Sequence, residues 1–393
     1  TAAIFFLPFY ILDGGFFHYA GDFNSQQITF YRYMNGFVKG AGYPDSAFAG
    51  APHNTFSWAT DLGSGVMNAY SFYLYGSPFF WLSVLLPQSW LPYMMVPLLV
   101  LKFGVAGGGA FLYLRRYVKN ENYAVLGACL YALSGFAVYN VFFNHFVDVV
   151  ALFPYLLWSL DEALYNDRRS WFAFWVAVNL VNNYFFFIGQ VVFLAIYFIC
   201  KLGTRDFRLT AKKFGLLAFE SLLGVAMGSI LLVPAVLSIL QNPRTIDLSS
   251  GWGFLTYSKV QQYLAILVSW IMPPDSPYLT SIWSEGVIKW TSMSAYLPLC
   301  SLAGAVAYWK AKCGDSKKRI VGTCAVFALV PILNSAFYAL NSSYYARWYY
   351  MPVLVLAAMT VNALEDHNTD LDSPARGISW LMIATVAFAV VPV

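Results

Sequence analysis

A carboxylate that follows closely on an apolar run is well placed to take a proton at a membrane surface. Asp22 is such a residue, in Gly21-Asp22-Phe23-Asn24-Ser25-Gln26, soon after the apolar stretch that opens the chain. One chemistry open to it is general-base catalysis, the deprotonation of an acceptor hydroxyl at the interface. The other reading is structural: Asp before Asn24, Ser25 and Gln26 suits the N-cap of a helix over 24–38. Lys102 lies about eleven residues into its apolar span, roughly 15 Å deep at helical rise. It needs a buried anion there, either a protein carboxylate or a bound phosphate. Arg347, in Tyr345-Ala346-Arg347-Trp348, suits bidentate capture of a phosphate. It equally suits the flank of a span within an aromatic belt. His145 and Asp148 stand at i and i+3 on one helix face, but no third ligand is identifiable, so no metal site is assigned. His53, Trp58 and Asp61 lie in a Gly- and aromatic-rich loop. That loop suits either sugar stacking or contact with lipid headgroups.

The elements that must position these residues are membrane helices. Of 393 residues, 59% are hydrophobic and 11% charged, against roughly 25% charged in soluble domains. The expected class is an all-α polytopic membrane protein in the lipid bilayer. The net charge of +4 comes from membrane flanks, not a basic stripe, so no nucleic-acid partner is expected. The five cysteines form no CxxC pair and read as small buried hydrophobes. Basic residues collect at Arg115/Arg116/Lys119, Arg168/Arg169, Lys201–Lys213 and Lys310–Arg319, and the positive-inside rule puts all four clusters in the cytoplasm. Chain between consecutive clusters then crosses an even number of times. That predicts spans near 122–138 and 146–164, a tight hairpin within 170–202 turning at Asn182-Asn183, an outward pass over 214–240 and a return over 292–309. Further spans follow at 320–338, 347–363 and 377–393, about 10 or 11 in all at roughly 20 residues each. The long outer segments are 13–90 and 241–291, and the apolar patch Tyr70 to Leu86 reads as an interfacial helix in the headgroup layer. Residue 1 already lies within an apolar stretch and the chain stops within another, so it reads as part of a longer protein.

Taken in order, Gly21-Asp22-Phe23-x-x-Gln26, Trp58-x-x-Asp61-Leu62-Gly63-x-Gly65, Tyr73-Leu74-Tyr75-Gly76-Ser77-Pro78-Phe79, Leu101-Lys102-Phe103-Gly104-x-Ala106-Gly107 and Tyr345-Ala346-Arg347-Trp348 resemble the YfhO family of bacterial membrane proteins. The resemblance covers most of the chain. It implies a GT-C-like helical bundle whose long first extracytoplasmic loop carries interfacial helices and the catalytic acid. It also implies a plasma-membrane enzyme of Gram-positive bacteria with its active site outside. Such an enzyme transfers a sugar from a polyprenyl-phosphate carrier to a wall polymer such as lipoteichoic or teichoic acid.

On that pattern Asp22 is the catalytic base and Asp61 a second acid. Arg347 and Lys102 hold the donor phosphate, while Gln26, His53, Trp58 and Tyr75 contact sugar or acceptor. The implied reaction is an inverting single displacement that calls on no nucleotide and no cofactor, metal included. The rival class is a transporter or flippase of a lipid-linked or anionic substrate, with Lys102, Glu220 and the broken 170–202 hairpin marking its pathway. A third is a structural subunit. Oligomeric state is not written in the sequence.

Overall fold

A computed structural model of the chain describes residues 1–40, 56–57, 60, 63–202, 204, 209–240, 253–277, 283, 287, 289–298, 301–312, 314–341 and 344–390. His53, Trp58 and Asp61 lie outside the described residues. Almost every described element is helical. Beyond the helices there is one two-residue antiparallel ribbon, Phe56–Ser57 against Ser64–Gly65.

The bundle is organised around two helices that are buried nearly all round. One is α8 (His145–Tyr165); the other, Tyr350–Glu365, is named α16 below. Around them stand α5 (Leu91–Leu114), α6 (Glu121–Ala132), α9 (Trp171–Asn182), α10 (Tyr184–Lys201) and α11 (Ala211–Leu240). Later come α13 (Leu302–Ala311) and α14 (Ser316–Leu329), then α15 (Pro331–Ser335). Four stretches are long and apolar enough to cross a membrane: Gln88–Leu114, Glu121–Tyr139, Tyr184–Lys201 and Ala211–Leu240. A fifth qualifies if Ser316–Leu329 and Pro331–Tyr338, bent by 105° at Pro331, count as one broken span. α8 carries Asp148, Asp161 and Glu162 and has no lipid face to keep apolar, which is why hydropathy alone understates it. The outermost helices carry the lipid-facing surface: Phe219, Leu222, Ile230 and Leu237 of α11, and Ile4, Leu7 and Ile11 of α1 (Ala2–Leu12), are exposed. Gly224 and Gly228 let α11 close on α9, since a methyl at either would sit 2.6 Å from Val176 or 2.5 Å from Leu180.

All four basic loops converge on one end of this bundle. Arg116 and Arg168 both reach Glu162 at 3.3 Å, Lys201 meets Asp161 at 2.7 Å, and Lys213 meets Asp167 at 3.3 Å. Lys317 lies over the Tyr117 ring, 4.5 Å from its centroid. Arg168 and Lys201 grip adjacent residues of α8, so the chain between them leaves this end and comes back. The reversal is at Asn183, which caps α10 by accepting from the amides of Phe185 and Phe186 at 3.2 Å each. Asn182 and Asn183 are both buried, and Asn183 donates to the Phe72 carbonyl at 2.9 Å. Non-helical backbone at this depth is thus covered by protein, as it must be.

Two expectations differ from what is observed. Tyr70 to Leu86 is not one helix: α3 (Val66–Tyr70) ends at the start of this stretch, a turn follows, and α4 (Pro78–Val84) lies within it. Phe79, Phe80 and Ser83 are buried against the bundle while Trp81, Leu82 and Leu85 face outward. A methyl on Gly76 would lie 1.6 Å from the Val181 carbonyl, so this turn presses directly onto the end of α9. Among the described residues of the predicted 292–309 span, helix begins only at Leu302, in Leu302–Ala311, and residues 292–297 run without regular structure.

Candidate functional site

The end opposite the basic collar gathers most of the residues singled out above. Asp22 sits at the start of a π-helical turn, Phe23–Ile28, that runs into α2 (Thr29–Val38). It does not cap that helix: its side chain makes no cap hydrogen bond. The capping is done by its neighbours. Gly21 takes a left-handed φ of 55°, and its carbonyl accepts from the Ser25 hydroxyl at 2.9 Å. The Asn24 amide closes on Tyr19, donating to its carbonyl at 2.6 Å and accepting from its N–H at 3.2 Å. Asp22 is left half-buried, with neither cation nor hydrogen-bond donor on its carboxylate among the described residues. Burial alone pushes its carboxyl above the ordinary carboxylate value. π-helical turns concentrate at functional sites because they re-aim side chains.

Arg347 is linked to the Asp22 segment through a chain of packed rings. Tyr19 packs on Phe142 at 6.2 Å between ring centroids, and Phe142 on Trp290 at 5.2 Å. The Trp290 carbonyl accepts from Arg347 Nη2 at 3.4 Å. The guanidinium stacks over Tyr345 at 3.9 Å and over Phe146 at 5.1 Å. Among the described residues no carboxylate balances it, and its Nε is buried without a partner. A cation held between rings, short of an opposite charge, is a receptor for an anion.

Lys102 is differently placed. It is wholly buried in α5 and meets Asp148 at 2.6 Å. Its other contacts are the Asn144 carbonyl at 3.2 Å and the Asn144 side-chain oxygen at 3.0 Å. The ammonium is therefore taken up within the bundle, by two hydrogen bonds to Asn144 and by its ion pair with Asp148. Asp148 takes a further hydrogen bond from the Ser77 hydroxyl, which also accepts from the Phe80 amide at 3.2 Å. The ion-pair alternative for Lys102 is the one observed.

The i, i+3 pairing of His145 with Asp148 is not used either. Asp148 turns to Lys102, and His145 is enclosed by Phe72, Tyr73 and Phe146 with both ring nitrogens unpartnered. Gln26 is half-buried one turn after Asp22, and its neighbour Gln27 is fully buried with both amide atoms unpartnered. Tyr75 is half-buried, accepts from the Trp81 indole at its carbonyl, and packs on that ring. It stands with the α3–α4 turn, away from any contact with Asp22 or Arg347 among the described residues. Thr60, beside the undescribed Asp61, is anchored to α2 by the Tyr33 hydroxyl at 2.5 Å.

Sequence reasoning paired His145 with Asp148 and passed over Gln27. It also missed the backbone at Asn144, Trp290 and Ser292, whose φ values are 24°, 66° and 57°. Such conformations in non-glycine residues cost roughly 1–3 kcal/mol each and gather where structure is held for function. Here they are held by the Asn144–Lys102 bond, the Ser292 hydroxyl donating to Asn140 at 2.7 Å, and the Ala346 amide donating to the Thr291 carbonyl at 2.8 Å. The unpartnered Gln27 amide was in principle findable, because a Gln inside a span-flanking apolar face is costly.

No curated protein and no solved structure matches the chain. A family model does, over residues 1–392. The chain, with its half-buried Asp22 carboxylate and its ring-stacked Arg347, therefore belongs to the family described as bacterial membrane protein YfhO.

Proposed function

We propose that the chain is a membrane glycosyltransferase of GT-C type, moving a sugar from a polyprenyl-phosphate carrier to an extracytoplasmic polymer such as lipoteichoic or teichoic acid. One observation carries the reading. Among the described residues Asp22 is a carboxylate without a partner and Arg347 a guanidinium without a carboxylate, and the packed rings of Tyr19, Phe142 and Trp290 connect their segments at the end away from the basic collar. The positive-inside rule makes that end the outer one, where the sugar of a flipped lipid carrier is presented.

The chemistry follows from the charges. A lipid-phosphate leaving group departs as an anion and needs charge stabilisation more than a proton. Arg347, in a water-poor ring of Tyr345, Phe143 and Phe146, would supply it by preorganised electrostatics. Asp22 would accept the proton of the acceptor hydroxyl as that oxygen attacks the anomeric carbon from the opposite face. The C–O bond to the carrier phosphate breaks as the new glycosidic bond forms, with inversion. Burial makes Asp22 a stronger base than an exposed carboxylate. Lys102 and Asp148 support the site without touching donor, through the strained Asn144 at the head of α8. Gln26, His53, Trp58 and Tyr75 are the proposed sugar and acceptor contacts, with Asp61 a second acid.

The test is reconstitution of the full-length protein in proteoliposomes. Labelled polyprenyl-phosphate sugar would be placed in one leaflet and isolated wall polymer in the outer compartment. Label should pass to the polymer only when donor faces the Asp22 end. If label never reaches polymer while the carrier changes leaflet, the protein is a transporter, and the buried Asn182–Asn183 break becomes its pathway.

A further inference from the structure

We infer that His145 is a second donor to the anion held by Arg347, so that the site binds an isoprenyl phosphate monoester or diester through both side chains. The inference rests on the proposed donor reading and adds a residue to it.

His145 is the first residue of α8 and is almost fully buried, with Nδ1 and Nε2 both lacking a hydrogen-bond partner. The Phe143 backbone lies beside the ring but forms no bond of acceptable geometry. Either neutral tautomer presents one N–H, and burying it unused costs free energy unless a ligand takes it. His145 and Arg347 both pack on Phe146: the imidazole at 4.5 Å between centroids, and the guanidinium 5.1 Å from the ring centre. Arg347 contributes its own unpartnered Nε.

A third feature points the same way. The N-terminus of a 21-residue helix carries positive potential. Asn144, which would ordinarily cap it, gives its side-chain oxygen to Lys102 instead. The charge of Lys102 is already balanced by Asp148, so among the described residues the charge near His145 that lacks an ion-pair partner is that of Arg347. The lining is otherwise aromatic, from Tyr73, Phe72 and Phe146, which favours a phosphate bearing an apolar chain over a free one.

The experiment is calorimetric titration of the full chain in phosphatidylcholine nanodiscs. Farnesyl phosphate serves as probe, inorganic phosphate as the second arm, and empty nanodiscs as the blank. His145→Phe keeps the ring packing and removes the N–H, and should weaken farnesyl phosphate binding about 10- to 100-fold, as loss of a hydrogen bond to a charged group does. His145→Gln keeps a donor and should stay closer to wild type. Equal binding by wild type and His145→Phe overturns the inference while leaving the Arg347 reading intact. Equal binding by wild type and Arg347→Ala overturns the donor site itself. Inorganic phosphate binding as tightly as farnesyl phosphate overturns the lipid-linked ligand. Selective 15N-histidine labelling gives a readout independent of any variant, because the chain has four histidines. Saturation with farnesyl phosphate should shift one imidazole resonance, and no shift in any of them refutes the contact.

Discussion

Replacing Lys102 by Met should destabilise the protein more than almost any other single change at this end of the bundle. The pair with Asp148 is 2.6 Å long, with side-chain exposures of 0% and 2%. Without the ammonium, Asp148 keeps only the Ser77 hydroxyl as a side-chain donor, and Asn144 loses the contact that holds its left-handed backbone. Stranding one charge of a buried pair costs about 3–5 kcal/mol. Replacing both charges by apolar groups of similar size is often neutral or stabilising. Lys102→Met/Asp148→Leu should therefore recover most of the loss, with a coupling of at least about 2 kcal/mol in the double-mutant cycle. The assay is denaturant or thermal unfolding in nanodiscs, read by tryptophan fluorescence and paired with sugar turnover. The double variant should retain turnover within about tenfold of wild type, since a group that acts through others affects rate weakly. A Lys102→Met protein as stable as wild type would refute the ion-pair reasoning. A stable double variant with no turnover would place Lys102 on the substrate.

Other outcomes follow from the same geometry. Transfer should fall on the acid side with a midpoint above that of an ordinary carboxylate, because burial raises Asp22 and the base works only when ionised. For stability the sign is opposite: a raised carboxyl favours the folded protein below its ordinary value, and that contribution fades as pH climbs through the folded one. A pH–rate profile with an acid limb at or below the ordinary value would contradict the assignment. Gly76→Ala should lower the unfolding midpoint sharply, because the added methyl meets the Val181 backbone at 1.6 Å and backbone cannot step aside cheaply. A wild-type midpoint would mean the α3–α4 turn does not press on α9.

The broad architecture was legible because hydropathy and basic clusters are local signals. The parity of crossings set by Arg168 and Lys201 matches their grip on Glu162 and Asp161, and the break at Asn182-Asn183 lies where short span length and two amides put it. What the sequence hid was pairing at a distance. His145 and Asp148 are three residues apart and look like partners, yet Asp148 bonds Lys102 on another helix. Asp22 looked like a cap because Asp, Asn and Ser share that propensity. The choice among them fell to the left-handed Gly21 and to Asn24, and left the carboxylate free. The α3–α4 segment looked interfacial because its outward face is greasy. Its inward face, from Ser77 to Ser83, is specified by contacts with α8 and α2: Ser77 bonds Asp148, and the Ser83 carbonyl accepts from Asn35.

The most direct test of glycosyl transfer with Asp22 as base is Asp22→Asn, assayed for donor binding and for turnover in the same proteoliposomes. The substitution is nearly isosteric and replaces the carboxylate by a neutral amide that cannot act as a base. Binding of the polyprenyl-phosphate sugar should be unchanged, and turnover should fall about 10²- to 10⁴-fold, the usual worth of a general base. Turnover equal to wild type would contradict the claim.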